Sequence, residues 1–298
     1  MTKEALSAEQ IRAAKGEGFL LNRGTRRFSC RIMTTDGFLR ADQLRVLAEA
    51  AEKYGNGSIA FTIRMNIEVP GIEYENIQAF KDLIATAGLR GGGTGARVRT
   101  VVACKGSTCV YGLCDTRQIA AEIYARFYEG YYDVSLPGKF KIGAGGCPNN
   151  CAKPDTNDFA LVGQRIHKLN RGACRGCAKC GIVAECPMKA ASLRDGKIDI
   201  DYSLCNNCGR CVTKCHFDVV EGYEDRFKVY VGGMWGRTPR RGVPLDSYFT
   251  KDELYEVIEK SVLLYKDKGL PGERFGHLCE RSGMGEINRL LAPDAKKE

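Results

Sequence analysis

The sequence predicts an α+β protein carrying a small domain inserted late in the chain. Strand-like and helix-like apolar periods alternate from residue 27 to residue 166 and return after residue 223. Between them, a segment from about 168 to 222 follows neither period and holds cysteines at CxxCxxC spacing.

Residues 27–33, Arg-Phe-Ser-Cys-Arg-Ile-Met, read as a strand, and 41–53 as a helix with Leu44, Leu47, Ala48 and Ala51 on one face. Strands over 58–64 and 66–70 and a helix over 74–87 follow. The run Gly91-Gly92-Gly93-Thr94-Gly95 lacks the Gly-Lys-Ser/Thr ending of a phosphate loop, so it reads as a turn before a strand over 97–103. Asp115 or Thr116 caps a helix reaching Tyr128, and strands over 139–144 and 158–163 come next. Beyond the insert, Phe227 to Val231 resumes strand character, 251–266 is an amphipathic helix, and the tail over 284–298 reads as frayed.

Bulk properties describe a soluble globular protein better than a membrane or nucleic-acid protein. The 298 residues are 44% apolar, with a mean hydropathy of −0.28. No apolar run approaches the roughly 18–20 residues of a membrane span. Met1 to Lys15 is polar and lacks the apolar core of a signal peptide, which predicts a mature start here and a cytoplasmic location. Fifteen cysteines in that reducing compartment point to metal ligation, since disulfides do not persist there. The formal charge of +9 counts cysteine as neutral. Each four-thiolate iron–sulfur cluster adds about −2, so three would offset about six charges. Basic residues form short groups such as Arg237-Thr238-Pro239-Arg240-Arg241, without the long stripe of a nucleic-acid binder.

The tandem run Cys174-x2-Cys177-x2-Cys180-x5-Cys186-Pro187, then Cys205-x2-Cys208-x2-Cys211-x3-Cys215, has the spacing of a two-cluster ferredoxin. Three cysteines at i, i+3 and i+6 wrap a corner of a cubane and the fourth comes from the opposite repeat. Cys174, Cys177, Cys180 and Cys215 are therefore expected on one 4Fe–4S cluster, and Cys205, Cys208, Cys211 and Cys186 on the other. A zinc ribbon uses paired CxxC and would leave the third cysteine of each triplet idle. Two departures stand out: the gap from Cys180 to Cys186 is two residues longer than usual, and His216 replaces the proline after Cys215. His167, His216 and His277 are far apart and read as structural or surface residues, with no Ser-His-Asp arrangement.

Upstream, Cys104-Lys-Gly-Ser-Thr-Cys109 and Gly146-Cys147-Pro148-Asn149-Asn150-Cys151 resemble the paired motif of siroheme-dependent sulfite and nitrite reductases. Ser29-Cys30-Arg31-Ile32, Thr62-Ile63-Arg64-Met65-Asn66, Arg99, Lys139-Phe140-Lys141 and Val231-Gly232-Gly233-Met234-Trp235-Gly236 resemble the family's other signatures, in the same order. The inserted ferredoxin places the resemblance with the dissimilatory and anaerobic types, most specifically with the catalytic C subunits of anaerobic sulfite reductases. It implies a sulfite/nitrite reductase-type siroheme domain, rich in antiparallel strands, with an inserted two-cluster ferredoxin-like domain. The implied boundaries are 1–90 for a ferredoxin-like half-domain, 91–166 with 223–298 for the siroheme and 4Fe–4S domain, and 167–222 for the insert.

The resemblance also implies roles. Cys104, Cys109, Cys147 and Cys151 would hold a third 4Fe–4S cluster, with Cys151 bridging to the siroheme iron. The spacing from Cys104 to Cys109 is one shorter than in most relatives, and nearby Cys114 remains an alternative ligand. Arg31, Arg99, Lys139 and Lys141 would surround the substrate anion. Arg64, Asn66, Arg97 and the turn Gly232, Gly233 to Arg237 would bind the siroheme, the arginines through its carboxylates.

The residue chemistry suits such a reaction. Reducing sulfite to sulfide takes six electrons and releases three oxygens as water, so a site needs electron delivery, positive charge and proton donors. Guanidinium groups pair with oxyanions through two hydrogen bonds, and an ammonium donates hydrogen bonds and, at a lowered pKa, protons. Periodicity alone reads Lys139 and Lys141 as polar residues flanking a core Phe140. No flavin or nicotinamide site is evident, so a donor subunit or ferredoxin is expected to feed the insert. The chain holds one of the two pseudo-symmetric halves that relatives combine, which implies an oligomer or a multi-subunit complex. Nitrite reduction on the same scaffold, or an electron-transfer subunit without siroheme, are the alternatives.

Overall fold

The computed structural model describes residues 5–292. In chain order its first elements are α1 (Ala8–Gly16), β1 (Phe19–Leu21), β2 (Arg27–Ile32), α2 (Ala41–Tyr54), β3 (Ala60–Phe61), β4 (Ile67–Glu73), α3 (Ile77–Ala85), β5 (Val102–Ala103), α4 (Thr116–Ile123) and β6 (Ile142–Gly145). Then come β7 (Phe159–Leu169), α5 (Gly181–Glu185), β8 (Ala191–Arg194), β9 (Lys197–Ile200), β10 (Val220–Val231), β11 (Val243–Phe249), α6 (Lys251–Lys268), α7 (Phe275–Ser282) and α8 (Met284–Leu291). Two compact units result. One holds the chain up to Val102 with Gln118–Ile142 and Ser261–Arg281, and the other holds Ala103–Arg117, Gly143–Lys260 and the chain from Ser282.

The first unit is built on a four-stranded antiparallel sheet in the order β1-β2-β4-β3. Strand alternation sends Phe28, Cys30 and Ile32 of β2 and Ile67 and Val69 of β4 into one core with Leu47, Ala50 and Ala51 of α2 and Phe80 and Ile84 of α3. The opposite face receives Arg31 and Glu68, which stand directly across from one another. Pro70 and Gly71 together face Ser29, a bulge in which Gly71 takes a φ of +90°. A side chain there would meet Asn56 Cβ at 2.8 Å.

A second core of the same unit surrounds Phe140, which is fully buried. Its ring lies 5.9 Å from Tyr265 and 5.1 Å from Phe275, and those two rings are 5.6 Å apart. The strands expected over 97–103 and 139–144 shrink here to a parallel bridge between Val98 and Phe140. Arg99 N–H donates to the Phe140 carbonyl at 2.8 Å and Phe140 N–H to the Arg97 carbonyl at 3.0 Å. Val98 and Phe140 are both buried, and the basic residues flanking them are less so, with Arg97, Arg99 and Lys141 half-buried and Lys139 exposed.

The second unit carries a five-stranded sheet in the order β11-β10-β7-β6-β5. β7 and β10 form its long antiparallel ribbon, from Phe159 opposite Val231 to Leu169 opposite Val220. The cysteine-dense insert grows from the end of that ribbon, closed at its base where Asn170 N–H donates to the Val219 carbonyl at 2.7 Å. Inside it, Ile182, Ala191, Ile198, Ile200 and Val219 pack with Cys174 into a small core, and β8 and β9 form a hairpin.

Several elements differ from expectation. The tail expected to fray forms α8 as far as Leu291, because Ile287 and Leu291 are buried; 293–298 lie outside the described residues. α1 is additional to the expected elements, although Ser7 and Gln10 form a reciprocal capping box whose S-x-x-Q signature is legible in the sequence. The strand expected over 58–64 reduces to Ala60–Phe61, and the one over 158–163 extends to Leu169. The helix expected to reach Tyr128 leaves α geometry at Tyr124 and ends in a π-turn over Tyr124–Glu129. Among the described residues no helix is long and apolar enough to cross a membrane.

Phe140 is the fully buried residue between the two lysines, and truncating it leaves a cavity among three rings. Phe140→Ala is expected to cost about 3–5 kcal/mol of stability, and Phe140→Leu clearly less. Urea unfolding of the three proteins would check this, and equal midpoints would contradict it.

Candidate cysteine and cation sites

In the second unit, the upstream cysteines follow two strands that are neighbours in the sheet. Cys104 comes directly after β5, and Cys147 lies two residues after β6. Cys104 N–H donates to the Ala144 carbonyl at 3.0 Å, and Cys104 Sγ accepts from Gly146 N–H at 3.1 Å. Gly106 permits this approach, since a side chain there would meet Thr116 Cγ2 at 2.7 Å and Gly146 Cα at 3.0 Å. Burial pushes the Cys147 thiol up, and Cys104, Cys109 and Cys151 push it further, which places these four within electrostatic reach of one another. The Asn150 and Lys153 backbones turn left-handed on either side of the exposed Cys151. Asn150 Nδ2 donates to buried Asp155 at 3.0 Å, and Arg241 Nε to the same carboxylate at 2.5 Å.

Cys114 lies close by, half-buried against β7. A side chain at Gly163 would come within 3.2 Å of its Sγ. Burial pushes its thiol up to about 12, with further contributions from Cys104, Asp115, Cys147 and Asp225. Its neighbours thus include Cys104 and Cys147, while Cys109 is grouped with Cys147.

Within the insert, Cys211 is pushed up to about 11 by burial and then by Cys205, Cys208 and Cys186, so these four also cluster. Burial raises Cys205 too, with Cys208 and Cys186 adding to it. Cys174 moves the other way, held down mainly by the Gly176 N–H, then by the Ile198 N–H, Lys197 and Arg171. Cys180 and Cys215 are drawn together where Gly181 packs on the Lys214 carbonyl, which a side chain would strike at 2.4 Å.

Backbone N–H groups reach Cys174 Sγ from Ile198 at 3.2 Å, Cys186 Sγ from Ala190 at 3.3 Å and Cys215 Sγ from Phe217 at 3.5 Å. Such donors suit thiolates that ligate iron, whose potential they tune. Among the described residues no three Cys, His, Asp or Glu converge on a single ion. Two groups of four cysteines in the insert give the all-sulfur donor set that cubanes take. His216 is exposed beside Cys215, His277 is also exposed, and buried His167 stacks on Tyr202 at 5.9 Å.

The first unit gathers the expected cations. Arg31 binds Glu68 at 2.9 Å and 2.5 Å and also reaches the Gly93 carbonyl at 3.4 Å. Arg99 donates to that same carbonyl and, at 2.6 Å, to the Gly95 carbonyl. The glycine run therefore orients two arginines, with Gly93 and Gly95 at positive φ and Gly93 N–H donating to the Tyr128 hydroxyl at 3.0 Å. Arg64 donates to the Thr100 carbonyl at 2.5 Å and Asn66 Nδ2 to Thr100 Oγ1 at 2.9 Å, so both brace the segment leading to β5. The Arg97 guanidinium lies 5.0 Å from the centre of the Tyr132 ring. Lys139 is exposed and Lys141 half-buried. Glu68 was not expected at this site, although the alternation Ile67-Glu68-Val69 puts it on the polar face.

In the second unit, Gly232 has a φ of +77° and donates to the Asp158 carbonyl at 2.8 Å, and Gly233 touches Asp155 so closely that a side chain would meet its carbonyl at 2.2 Å. A tight loop follows, closed by paired backbone bonds between Met234 and Arg240 at 3.1 Å and 2.9 Å; it exposes Trp235 and Arg237.

Residues 22–87 match the nitrite/sulfite reductase ferredoxin-like half domain, and residues 94–298 the nitrite and sulphite reductase 4Fe-4S domain. The chain is 32% identical over 265 residues to the coenzyme F420-dependent sulfite reductase of Methanocaldococcus jannaschii, covering 88% of this chain but only 42% of that protein. It is 29% identical over 287 residues to the C subunit of the anaerobic sulfite reductase of Salmonella typhimurium, covering 88% of this chain and 81% of the relative. A dissimilatory sulfite reductase I crystal structure shares the fold with a TM-score of 0.70 at 20% identity, over 91% of this chain and 71% of that one. The two domain matches, with cysteine groups and a cation-bearing strand pair where the sequence motifs lie, establish that the chain belongs to the nitrite and sulphite reductase family.

Proposed function

We propose that the chain catalyses the siroheme-dependent, six-electron reduction of sulfite to sulfide. The observation that carries this reading is the parallel bridge of the first unit, where the buried Val98 and Phe140 are each flanked by two basic residues, Arg97 and Arg99, Lys139 and Lys141. Concentrated positive charge suits a dianion with three oxygens better than the monoanion nitrite with two. Arg31 and Arg99 supply guanidinium donors, and each lysine supplies ammonium N–H groups for hydrogen bonds and protons. Arg64, Asn66, Arg97 and the Gly232–Arg237 turn are assigned to siroheme binding. Siroheme, when bound, would supply a redox-active iron for electron transfer to the substrate.

Cys104, Cys109, Cys147 and Cys151 are assigned to the cluster coupled to siroheme, with Cys151 as the bridging thiolate. Cys174, Cys177, Cys180 and Cys215, and Cys186, Cys205, Cys208 and Cys211, would hold two further clusters able to take electrons from a donor subunit or ferredoxin, and the chain would work within an oligomer or complex. Nitrite remains the competing substrate, separated from sulfite by the test on Lys141 below.

Anaerobically purified protein is expected to carry siroheme and about thirteen irons, twelve in three cubanes and one in the macrocycle. Iron near eight without macrocycle absorbance would reduce the chain to an electron relay. Cys151→Ser should uncouple siroheme while sparing the insert clusters, and full activity in that variant would refute the bridging assignment.

Lys141→Asn should lower kcat/KM for sulfite about tenfold or more, the scale of one lost charge-assisted hydrogen bond of ~1.5–3 kcal/mol, with nitrite turnover falling less or rising. Steady-state rates with a chemical reductant measure both. Equal losses for the two anions would show that Lys141 does not discriminate between them.

A further inference from the structure

We infer that the insert delivers electrons in a fixed order, with the cluster of Cys174, Cys177, Cys180 and Cys215 outermost and that of Cys186, Cys205, Cys208 and Cys211 handing over to the upstream cluster, and that Arg165 positions this hand-over. The inference rests on the cluster assignments of the proposed function, not on the identity of the substrate.

Strand β7 touches both cysteine groups. At Gly163 it lies against the loop that carries Cys147, since a side chain there would meet the Gly146 carbonyl at 2.8 Å and Cys114 Sγ at 3.2 Å. Two residues on, about 7 Å along the strand and on the same face, Arg165 N–H donates to the Asn207 carbonyl at 2.8 Å and Arg165 pairs with Cys208 as a parallel bridge. The stem of Arg165 fills the space over Gly209, where a side chain would meet its Cβ, Cγ and Cδ at 2.8, 2.9 and 2.6 Å. Its guanidinium is held by two bonds to Asp225, at 2.7 and 2.8 Å, and lies 4.0 Å from the centre of the Tyr223 ring. A second contact is independent of β7. The Arg210 guanidinium stands 5.7 Å from the Tyr111 ring centre, joining the loop of Cys208 and Cys211 to the loop that follows Cys109.

The other insert group has different surroundings. Cys174 is held by Gly176, Ile198, Lys197 and Arg171, which all belong to the insert, and Gly176 packs on the Gly196 carbonyl of the β8–β9 turn. Cys177 is exposed. The contacts to the upstream loops thus run through the Cys205–Cys211 segment, and the exposed thiol belongs to the opposite group.

The hand-over is a one-electron step. The inner cluster is oxidised by one electron and the upstream cluster reduced by one; no bond forms or breaks. The electron originates in a low-potential one-electron carrier protein that reduces the outer cluster. Arg165 and Asp225 form a neutral pair, so the clamp adds no net charge beside the Cys208 loop.

Electron paramagnetic resonance of the full, cluster-loaded chain, reduced with dithionite and free of substrate, tests the order through cluster-to-cluster magnetic interaction. Reducing the insert should speed the spin relaxation of the upstream cluster. Cys205→Ala should abolish this enhancement, and Cys177→Ala should leave it; the reverse pattern overturns the order. Arg165→Gln, which retains every cysteine, should weaken the enhancement with iron content unchanged. Wild-type enhancement in Arg165→Gln would remove Arg165 from the hand-over, whatever the fate of the cysteine variants. An iron count near eight in the unsubstituted protein would instead defeat the cluster assignments themselves.

Discussion

The gathering of cysteines into close, partly buried groups is the constraint on which the second unit depends. Cys147 has its thiol pushed up by burial and by three cysteine neighbours, and Cys211 by burial and by three others. An iron cluster would take up the charge of these cysteines once deprotonated, which would tie the close approach of the loops to the proposed clusters. The backbone is shaped to that need. Gly106 and Gly146 let two loops close to contact, and peptide N–H groups are aimed at Cys104, Cys174 and Cys186.

Strand pleat performs the equivalent task for cations in the first unit. The bridge anchors Val98 and Phe140 in the core and leaves all four flanking residues, Arg97, Arg99, Lys139 and Lys141, less buried and basic. Across β2 and β4 the same geometry sets Arg31 beside Glu68, which keeps that guanidinium oriented and its charge partly balanced. The glycine run adds carbonyl acceptors for Arg31 and Arg99. Its positive-φ glycines serve arginine placement, a role open to them only because a left-handed turn is cheap without a side chain.

β7 links the two halves of the second unit's chemistry. One strand meets the Cys147 loop at Gly163 and the Cys208 loop at Arg165, while its partner β10 supplies Asp225 and Tyr223 to fix that arginine. The insert therefore grows out of the sheet that organises the upstream cysteines, closed at its base by the Asn170 to Val219 bond.

The sequence by itself determined the α+β class, the insert and the family, because cysteine spacing and apolar period are local properties of the chain. It also put Lys139 and Lys141 on the polar side of Phe140, which needs only alternation. Helices α1 and α8 lie outside the expected elements, although a capping box marks the first and an apolar stripe the second. Only the tertiary structure decided that Glu68 faces Arg31, that Arg64 and Asn66 brace Thr100, that Cys114 packs against β7, and that Arg165 holds the Cys208 loop. Each of these joins residues 34 to 49 positions apart or depends on strand register, and neither composition nor period carries that information.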